Sequence, residues 1–205
     1  DLLRPGIETI TAAGEQIDVL PDGLLGPEAA GRVGDAEVLL VGLMHWRRPA
    51  IEKLPASVGL MIRCGIGVDV IDVDAATERG IWVANVPDYC VEEVADQAML
   101  LMLGAVRQVR HFEQSWQEGR WASLAYPPVQ RLSVQTLGIV GLGRIGSQVA
   151  RRAAGFGLNV IATDPYIPAE RFAAAGAERV DLPELLARSD IVSLHLPLNA
   201  ETQHL

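Results

Sequence analysis

Gly141-Leu142-Gly143-Arg144-Ile145-Gly146 decides the fold, because an apolar run over residues 137–140 leads into it and an amphipathic helical pattern leaves it. A second apolar run, 158–163, ends on Asp164. Strand, glycine loop, helix, strand and then an acid about 20 residues on form the dinucleotide-binding fingerprint; the glycine pattern alone recurs by chance, and its surroundings give it weight. Gly141 permits the tight turn, Gly143 lets the backbone approach a pyrophosphate with no side chain between, and Gly146 lets the new helix lie close to the sheet. The N–H groups of that helix's first turn, with its dipole, then face the anion. Asp164 stands where a carboxylate accepts both hydroxyls of an adenosine ribose and repels a 2'-phosphate. Pro165 and Tyr166 add no cation beside it, so the spacing points to NAD rather than NADP.

Around this motif the composition is that of an ordinary globular chain. Its 205 residues allow one or two domains, and 49% apolar content is enough to build cores. A net charge of -9, with the 17 basic residues scattered, argues against nucleic-acid or anionic-membrane partners, which need clustered Lys and Arg. The longest apolar stretch, 98–103, is too short to span a bilayer, and no basic N-terminus with apolar core and cleavage site is present. A cytoplasmic location is therefore expected. Cys64 and Cys90 form no C-x-x-C and neither has a histidine at ligand spacing, so both read as reduced thiols and no metal site is expected.

Ahead of the motif, β-rich runs (17–20, 38–41, 59–63, 81–86) alternate with helical ones (27–33, 49–54, 73–79), which describes a parallel, doubly wound sheet. Residues 2–13 read as a helix with no strand before it. Residues 91–110 are apolar on nearly every face, the pattern of one helix buried on most sides, with Glu92 and Glu93 at its start and Arg107 and Arg110 at its end matching the helix dipole. Trp116 and Trp121 follow on a more polar segment, where they either mark a partner surface or pack on their own domain. Beyond Pro127-Pro128 the second α/β unit reads as strands at 137–140, 158–163, 178–180 and 191–196 with helices at 144–154, 169–175 and 182–187. A six-stranded dinucleotide-binding sheet would still lack its last strands by this count.

A second glycine loop, Arg63-Cys64-Gly65-Ile66-Gly67-Val68-Asp69, follows the run 59–62 at the carboxyl end of a strand, where open α/β sheets bind ligands. Gly65 and Gly67 can aim successive N–H groups at one anion such as a substrate carboxylate; the same residues read equally as a plain strand-to-helix turn. Asp69 is expected to cap the helix over 72–79 rather than to take part in chemistry. Asn85, at another strand end before Pro87, either hydrogen-bonds into the same cleft or orders its own loop. His45 and Trp46, after the strand 38–41, are candidates to line the pocket.

Taken together, RCGIGVDVID (63–72), GIWVANVP (80–87), VEEVAD (91–96), GIVGLGRIG (138–146), DPY (164–166) and SDIVSLHLPLNAETQHL (189–205) resemble the D-isomer-specific 2-hydroxyacid dehydrogenases, in particular the branch that includes the C-terminal-binding-protein corepressors. The resemblance implies an α/β fold of two doubly wound parallel-sheet domains, both incomplete here: a flavodoxin-like substrate domain over 1–92, lacking its first strand, and a Rossmann NAD domain over 93–205, lacking its C-terminal strands. It places NAD between them and assigns the cofactor contacts to Ile66, Val94, Gly141, Gly143, Arg144, Ile145, Gly146, Asp164, Pro165, His195, Pro197, Leu198 and Thr202. Ile66 would approach the nicotinamide side, and the stretch from His195 to Thr202 would run along the dinucleotide. The substrate carboxylate would meet Gly65, Ile66 and Gly67, with Asn85 beside them.

The activity so implied is the NAD-dependent interconversion of a small D-2-hydroxy acid and its 2-keto acid, in a homodimer built mainly through residues 91–121. The alternative is an NAD-gated, corepressor-like binding scaffold. One departure from the family pattern is Val70, where a polar residue is common. In such enzymes an Arg binds and polarises the keto acid, a Glu tunes the base and a His exchanges the proton. All three positions would fall beyond Leu205, so no residue of this chain is expected to be catalytic, His195 included, and the 205 residues alone are expected not to turn over.

Overall fold

The computed structural model of the chain describes residues 4–21, 23–120 and 128–205. They form two compact units, Asp1–Pro87 and Asp88–Leu205.

The first unit runs α1 (Arg4–Ala12), α2 (Gly26–Ala30), β1 (Val38–Val41), α3 (Arg48–Ile51), β2 (Leu60–Arg63), α4 (Val73–Glu78) and β3 (Trp82–Asn85). Its strands are parallel in the order β1-β2-β3, and the register aligns Val38 with Leu60 and Trp82, and Val41 with Arg63 and Asn85. Parallel neighbours need a crossover, which the helices supply. Pro27 and Pro49 open α2 and α3, where a missing N–H costs no helical bond. Val41, Trp46, Ile51, Leu54, Met61 and Ile71 close the core. Each large apolar side chain buried there contributes about 1.5–3 kcal/mol before entropy is counted.

Three expectations for this unit are corrected. The cap of α4 is Asp72, whose Oδ1 accepts from Ala75 N–H at 2.9 Å. Asp69 lies too far before the first turn for its side chain to reach those N–H groups. Residues 17–20 form no strand: no ladder bond pairs them among the described residues, Leu20 packs singly on the core, and Val19 stays 56% exposed. Trp46 belongs to the core of this unit. It is 4% exposed in the core, with its N–H bonded to Val70 O at 2.7 Å and its carbonyl accepting from Asp72 N–H at 2.9 Å. Val70 is buried in the same cluster, which accounts for an apolar residue there.

The second unit comprises α5 (Val91–Val106), α6 (Val109–Gln117), a 3-10 turn (Leu132–Val134), β4 (Thr136–Val140), α7 (Arg144–Gly155), β5 (Asn159–Thr163), α8 (Ala169–Ala175), β6 (Glu178–Arg179), α9 (Leu182–Arg188) and β7 (Ile191–Leu194). All strands are parallel in the order β6-β5-β4-β7. From β4 the chain steps outward to β5 and β6, then α9 carries it back to the far side of β4. Strand order therefore reverses between β4 and β7, and the carboxyl ends of the strands at such a reversal leave a crevice for ligands. Strand β4 is covered on both faces, which is why it reads as an almost unbroken apolar run. At Gly138 an added Cβ would come within 2.6 Å of Leu185 Cδ2, so this glycine lets α9 seat directly on the strand.

One long buried helix was expected over 91–110, and the structure breaks it. Gln108 adopts φ 55°, ψ 39°, a left-handed residue that ends the ladder of α5 before α6 begins. Only Ala95 and Met99 of α5 are buried, while Leu100 and Leu101 are each 64% exposed. Within this unit α5 packs mainly on α7, and one neighbouring helix covers only one stripe. Arg152 of α7 fastens that contact by pairing with Asp96 at 2.7 Å and with Glu92. Trp121 lies outside the described residues; Trp116 is 67% exposed.

Two glycine substitutions in this unit should have opposite effects. An added Cβ at Gly146 would overlap the Gly141 carbonyl oxygen, whereas at Gly104, inside α5, it would meet nothing within 4 Å. Gly146→Ala should destabilise by about 1–3 kcal/mol through overpacking. Gly104→Ala should stabilise by about 0.5–1 kcal/mol. Urea denaturation of both variants checks the contrast.

Candidate functional site

The loop between β4 and α7 sits at the reversal of strand order. Gly141 takes φ +91°, and its N–H donates to Thr163 O at 2.9 Å. A Cβ there would meet the His195 carbonyl oxygen at 2.6 Å, so the loop after β7 presses directly on this turn. His195 is itself pinned by its N–H to Val140 O at 2.8 Å. Leu142 is fully buried and anchors the loop from below. Ser147 fastens it from the helix side, donating its hydroxyl to Leu142 O at 2.9 Å and its N–H to Gly143 O at 3.0 Å.

Gly143 differs from the other two glycines of the motif. Its φ of -68° lies outside the left-handed region that favours glycine, and a Cβ would find nothing within 4 Å. Neither a left-handed φ nor crowding at Cβ accounts for glycine here. What a side chain would obstruct is the open space over the N-terminus of α7, a helix of twelve residues. The N–H groups of Gly143 and Ile145 donate to no acceptor among the described residues, and the helix dipole adds to their pull on an anion.

Asp164 follows β5 and is wired to this loop. Its Oδ2 accepts from Leu142 N–H at 2.9 Å and its Oδ1 from Tyr166 N–H at 2.9 Å. A carboxylate has about four acceptor sites, so two remain for the hydroxyls of a ribose. Beside it lies a cavity of about 410 Å³ lined by Thr163, Asp164, Pro165, Arg179, Val180, Asp181 and Glu184. Arg179 is a cation that the sequence reading missed; it is held over the Phe172 ring at 5.3 Å. Asp164, Asp181 and Glu184 outnumber it on the same wall, so a phosphate dianion gains little there. These residues fit a dinucleotide: an open glycine at a helix N-terminus for the pyrophosphate, and a positioned carboxylate for the ribose.

The loop after β7 brings in the remaining residues of the second unit expected to contact the cofactor. Pro197 O accepts from the Thr202 hydroxyl at 2.6 Å, and Asn199 Oδ1 accepts from the N–H groups of Glu201 at 2.9 Å and Thr202 at 3.0 Å. Leu198 is exposed beside them. The Tyr166 hydroxyl donates to Glu201 Oε2, a bond that holds the phenol protonated above its ordinary range. Val94 and His195 line a separate, apolar cavity of about 350 Å³ with Ala98, Leu101, Met102 and Leu194. His195 Nε2 shares a hydrogen bond of 2.9 Å with the Ser193 hydroxyl, and burial holds the imidazole below its ordinary value.

In the first unit the second glycine loop is assembled as the strand ends require. Asn85 Nδ2 donates to Ile66 O at 2.8 Å and Val86 N–H to Gly65 O at 3.2 Å, so Asn85 orders this loop. The Arg63 guanidinium folds over Gly65, where a Cβ would lie 2.6 Å from Nη1, and Arg63 Nε is buried without a partner. The Asp69 carboxylate lies beside Gly67 in the same way, at 2.8 Å. The N–H groups of Ile66, Gly67 and Val68 donate to no acceptor among the described residues.

Comparison with known proteins agrees with this geometry. The family model described as D-isomer specific 2-hydroxyacid dehydrogenase, NAD binding domain, matches residues 99–205, just over half of the chain. The chain is 43% identical over 185 residues to a D-3-phosphoglycerate dehydrogenase of Methanocaldococcus jannaschii, a match covering 89% of this chain and 35% of that protein. It is 36% identical over 191 residues to a hydroxypyruvate reductase of Thermotoga maritima, covering 93% of this chain and 61% of that one. Among solved structures, a D-lactate dehydrogenase from Aquifex aeolicus complexed with NAD and lactic acid superposes with a TM-score of 0.85 at 26% identity, covering 98% of this chain and 60% of that chain. The chain thus spans about a third to three fifths of the length of these relatives. They are dehydrogenases and reductases, and they lend no support to the scaffold reading.

The state of His195 has a measurable consequence. With its folded value below the ordinary 6.5, the unfolded chain binds this proton more readily. Its contribution to stability is therefore complete above pH 6.5 and declines as pH falls from there toward the folded value. An NMR titration should place the imidazole below 6.5, and His195→Asn should flatten the loss of stability in that window.

Proposed function

The chain belongs to the D-isomer specific 2-hydroxyacid dehydrogenase family, whose NAD-binding domain it matches, and on that premise we propose that it is part of an NAD-dependent oxidoreductase interconverting a small D-2-hydroxy acid and its 2-keto acid. The observation that carries this reading is Gly143, where a side chain would occupy the open space over the N-terminus of α7, with Asp164 bonded to the neighbouring Leu142 N–H. In the bound state NAD supplies the hydride acceptor at C4 of its nicotinamide, and NADH the donor. The second unit's part is to hold and orient: α7 receives the pyrophosphate, Asp164 and Pro165 the adenosine ribose, and the stretch His195, Pro197, Leu198 and Thr202 flanks the dinucleotide. Gly141 and Gly146 shape the cradle, and the Arg144 and Ile145 backbone faces the phosphates.

The first unit is assigned to the substrate. 3-Phosphoglycerate, hydroxypyruvate and lactic acid, taken from the relatives' names, share a carboxylate next to an oxygen-bearing carbon. Gly65, Ile66 and Gly67 suit such a carboxylate, since their loop offers unbonded N–H groups. Arg63 adds a cation and Asp69 a like charge, so the anion's seat is closer to Gly65 than to Gly67. Asn85 keeps the loop in shape; in the second unit Val94 adds an apolar contact to the cofactor. The free thiols Cys64 and Cys90 suit the cytoplasm, and no described helix is long and apolar enough to cross a membrane. A second copy of the chain is the partner we assign to the exposed apolar residues Leu100, Leu101 and Trp116 of α5 and α6.

The product of the complete gene should oxidise NADH with at least one of glyoxylate, hydroxypyruvate, pyruvate or phosphohydroxypyruvate. Asp164→Ala should weaken NAD binding tenfold or more, as expected for a hydrogen bond to a charged group of about 1.5–3 kcal/mol, and should narrow the preference over NADP. No turnover across the panel, together with equal affinity for the two cofactors, would overturn the reading. Light scattering of the same protein should give a dimer that Leu101→Glu dissociates; a wild-type monomer at all concentrations would remove the second copy.

A further inference from the structure

Tyr166 and Glu201 belong to no role assigned so far, yet they join a chain of hydrogen bonds that runs along the cradle. The hydrogen-bond chain runs from Leu142 N–H to Asp164, from Asp164 to Tyr166 N–H, and from the Tyr166 hydroxyl to Glu201. It continues from Glu201 N–H to Asn199 and through the Thr202 hydroxyl to Pro197 O, two residues along the polypeptide from His195, whose carbonyl packs against Gly141. Among the described residues the Tyr166–Glu201 bond is the one side-chain hydrogen bond joining the loop after β5 to the loop after β7. Both side chains are exposed: Tyr166 is 77% exposed, and no burial requirement explains the pairing.

We propose that Tyr166 and Glu201 form a clasp that fixes the loop over residues 197–202 before the dinucleotide arrives, making both positioning residues for cofactor binding. The inference rests on the dinucleotide reading of the site. Its physical basis is preorganisation. A loop already held in place loses little freedom when a ligand binds, whereas an unclasped loop must be ordered at that moment, and the ordering subtracts from affinity. The bond is charge-assisted, and its direction is fixed because only the phenol carries a proton to donate. The raised proton affinity of Tyr166 agrees with such a bond and keeps the donor intact through the neutral range. Glu201 also adds a negative charge near Asp164, which reinforces the bias against a 2'-phosphate.

The test is NADH binding and release by the full-length protein, measured by stopped-flow fluorescence for the wild type, Tyr166→Phe, Glu201→Ala, Glu201→Gln and the Tyr166→Phe/Glu201→Ala double variant. Each removal should weaken binding about twofold to fivefold, mainly through faster release. The double variant should be no worse than either single one, and Glu201→Gln, whose amide oxygen still accepts, should recover part of the loss. KM for NADH should rise with kcat unchanged. Without cofactor, the Glu201 and Thr202 amides should exchange hydrogen faster in Tyr166→Phe at an unchanged melting temperature. Wild-type affinity and release in both single variants would overturn the clasp alone. Failure of the wild type to bind NADH at all would overturn the dinucleotide reading and the clasp with it.

Discussion

The closeness with which α7 starts against the end of β4 is the constraint on which the second unit depends. Gly146 leaves no room for a Cβ beneath the Gly141 carbonyl, and Gly141 leaves none beneath the carbonyl of His195. Three backbone segments therefore meet at van der Waals distance where the strand order reverses. The helix N-terminus points over the crevice because it has nowhere else to lie. Once that contact is fixed, Leu142 fills the core beneath the loop and its N–H meets Asp164 at the end of β5. The separation between the N-terminus of α7 and Asp164 is then set by the hydrogen-bonded spacing of β4 and β5, neighbours in a parallel ladder.

Much of this was legible in the sequence because its causes are local and steric. The glycine pattern, the buried run of β4 and the acid after β5 each reflect a backbone that must turn, pack or approach closely, and such demands leave few residue choices. Features set by tertiary surroundings were harder to read. Gln108 carries no glycine or proline signal, yet it ends α5, so the break follows from how α5 and α6 pack. Residues 17–20 have the composition of a strand but no ladder partner among the described residues. Asp69 is the cap that the sequence suggests; reach to the Ala75 N–H selects Asp72.

The candidate site divides in the same manner. Its backbone parts were readable, since glycines at strand ends announce themselves. The side-chain parts were not: the Arg63 guanidinium over Gly65, Arg179 on the cavity wall and the pairing of Tyr166 with Glu201 depend on contacts that sequence order does not encode. Trp46 shows the opposite error, an aromatic beside a strand end that turned out to be core. The two loops also differ in electrostatic character. The loop at α7 gathers a helix dipole and unbonded N–H groups, whereas the loop after β2 sets a cation and a carboxylate against its two glycines.

The account stands or falls on whether Gly143 is kept clear for a ligand. Titration calorimetry with NAD on the wild-type protein and on Gly143→Val tests this most directly, because φ at that position lies outside the left-handed region and an added Cβ meets nothing within 4 Å. The account predicts a variant with the wild-type melting curve and no measurable NAD binding. A folded Gly143→Val protein that binds NAD with undiminished affinity would contradict it.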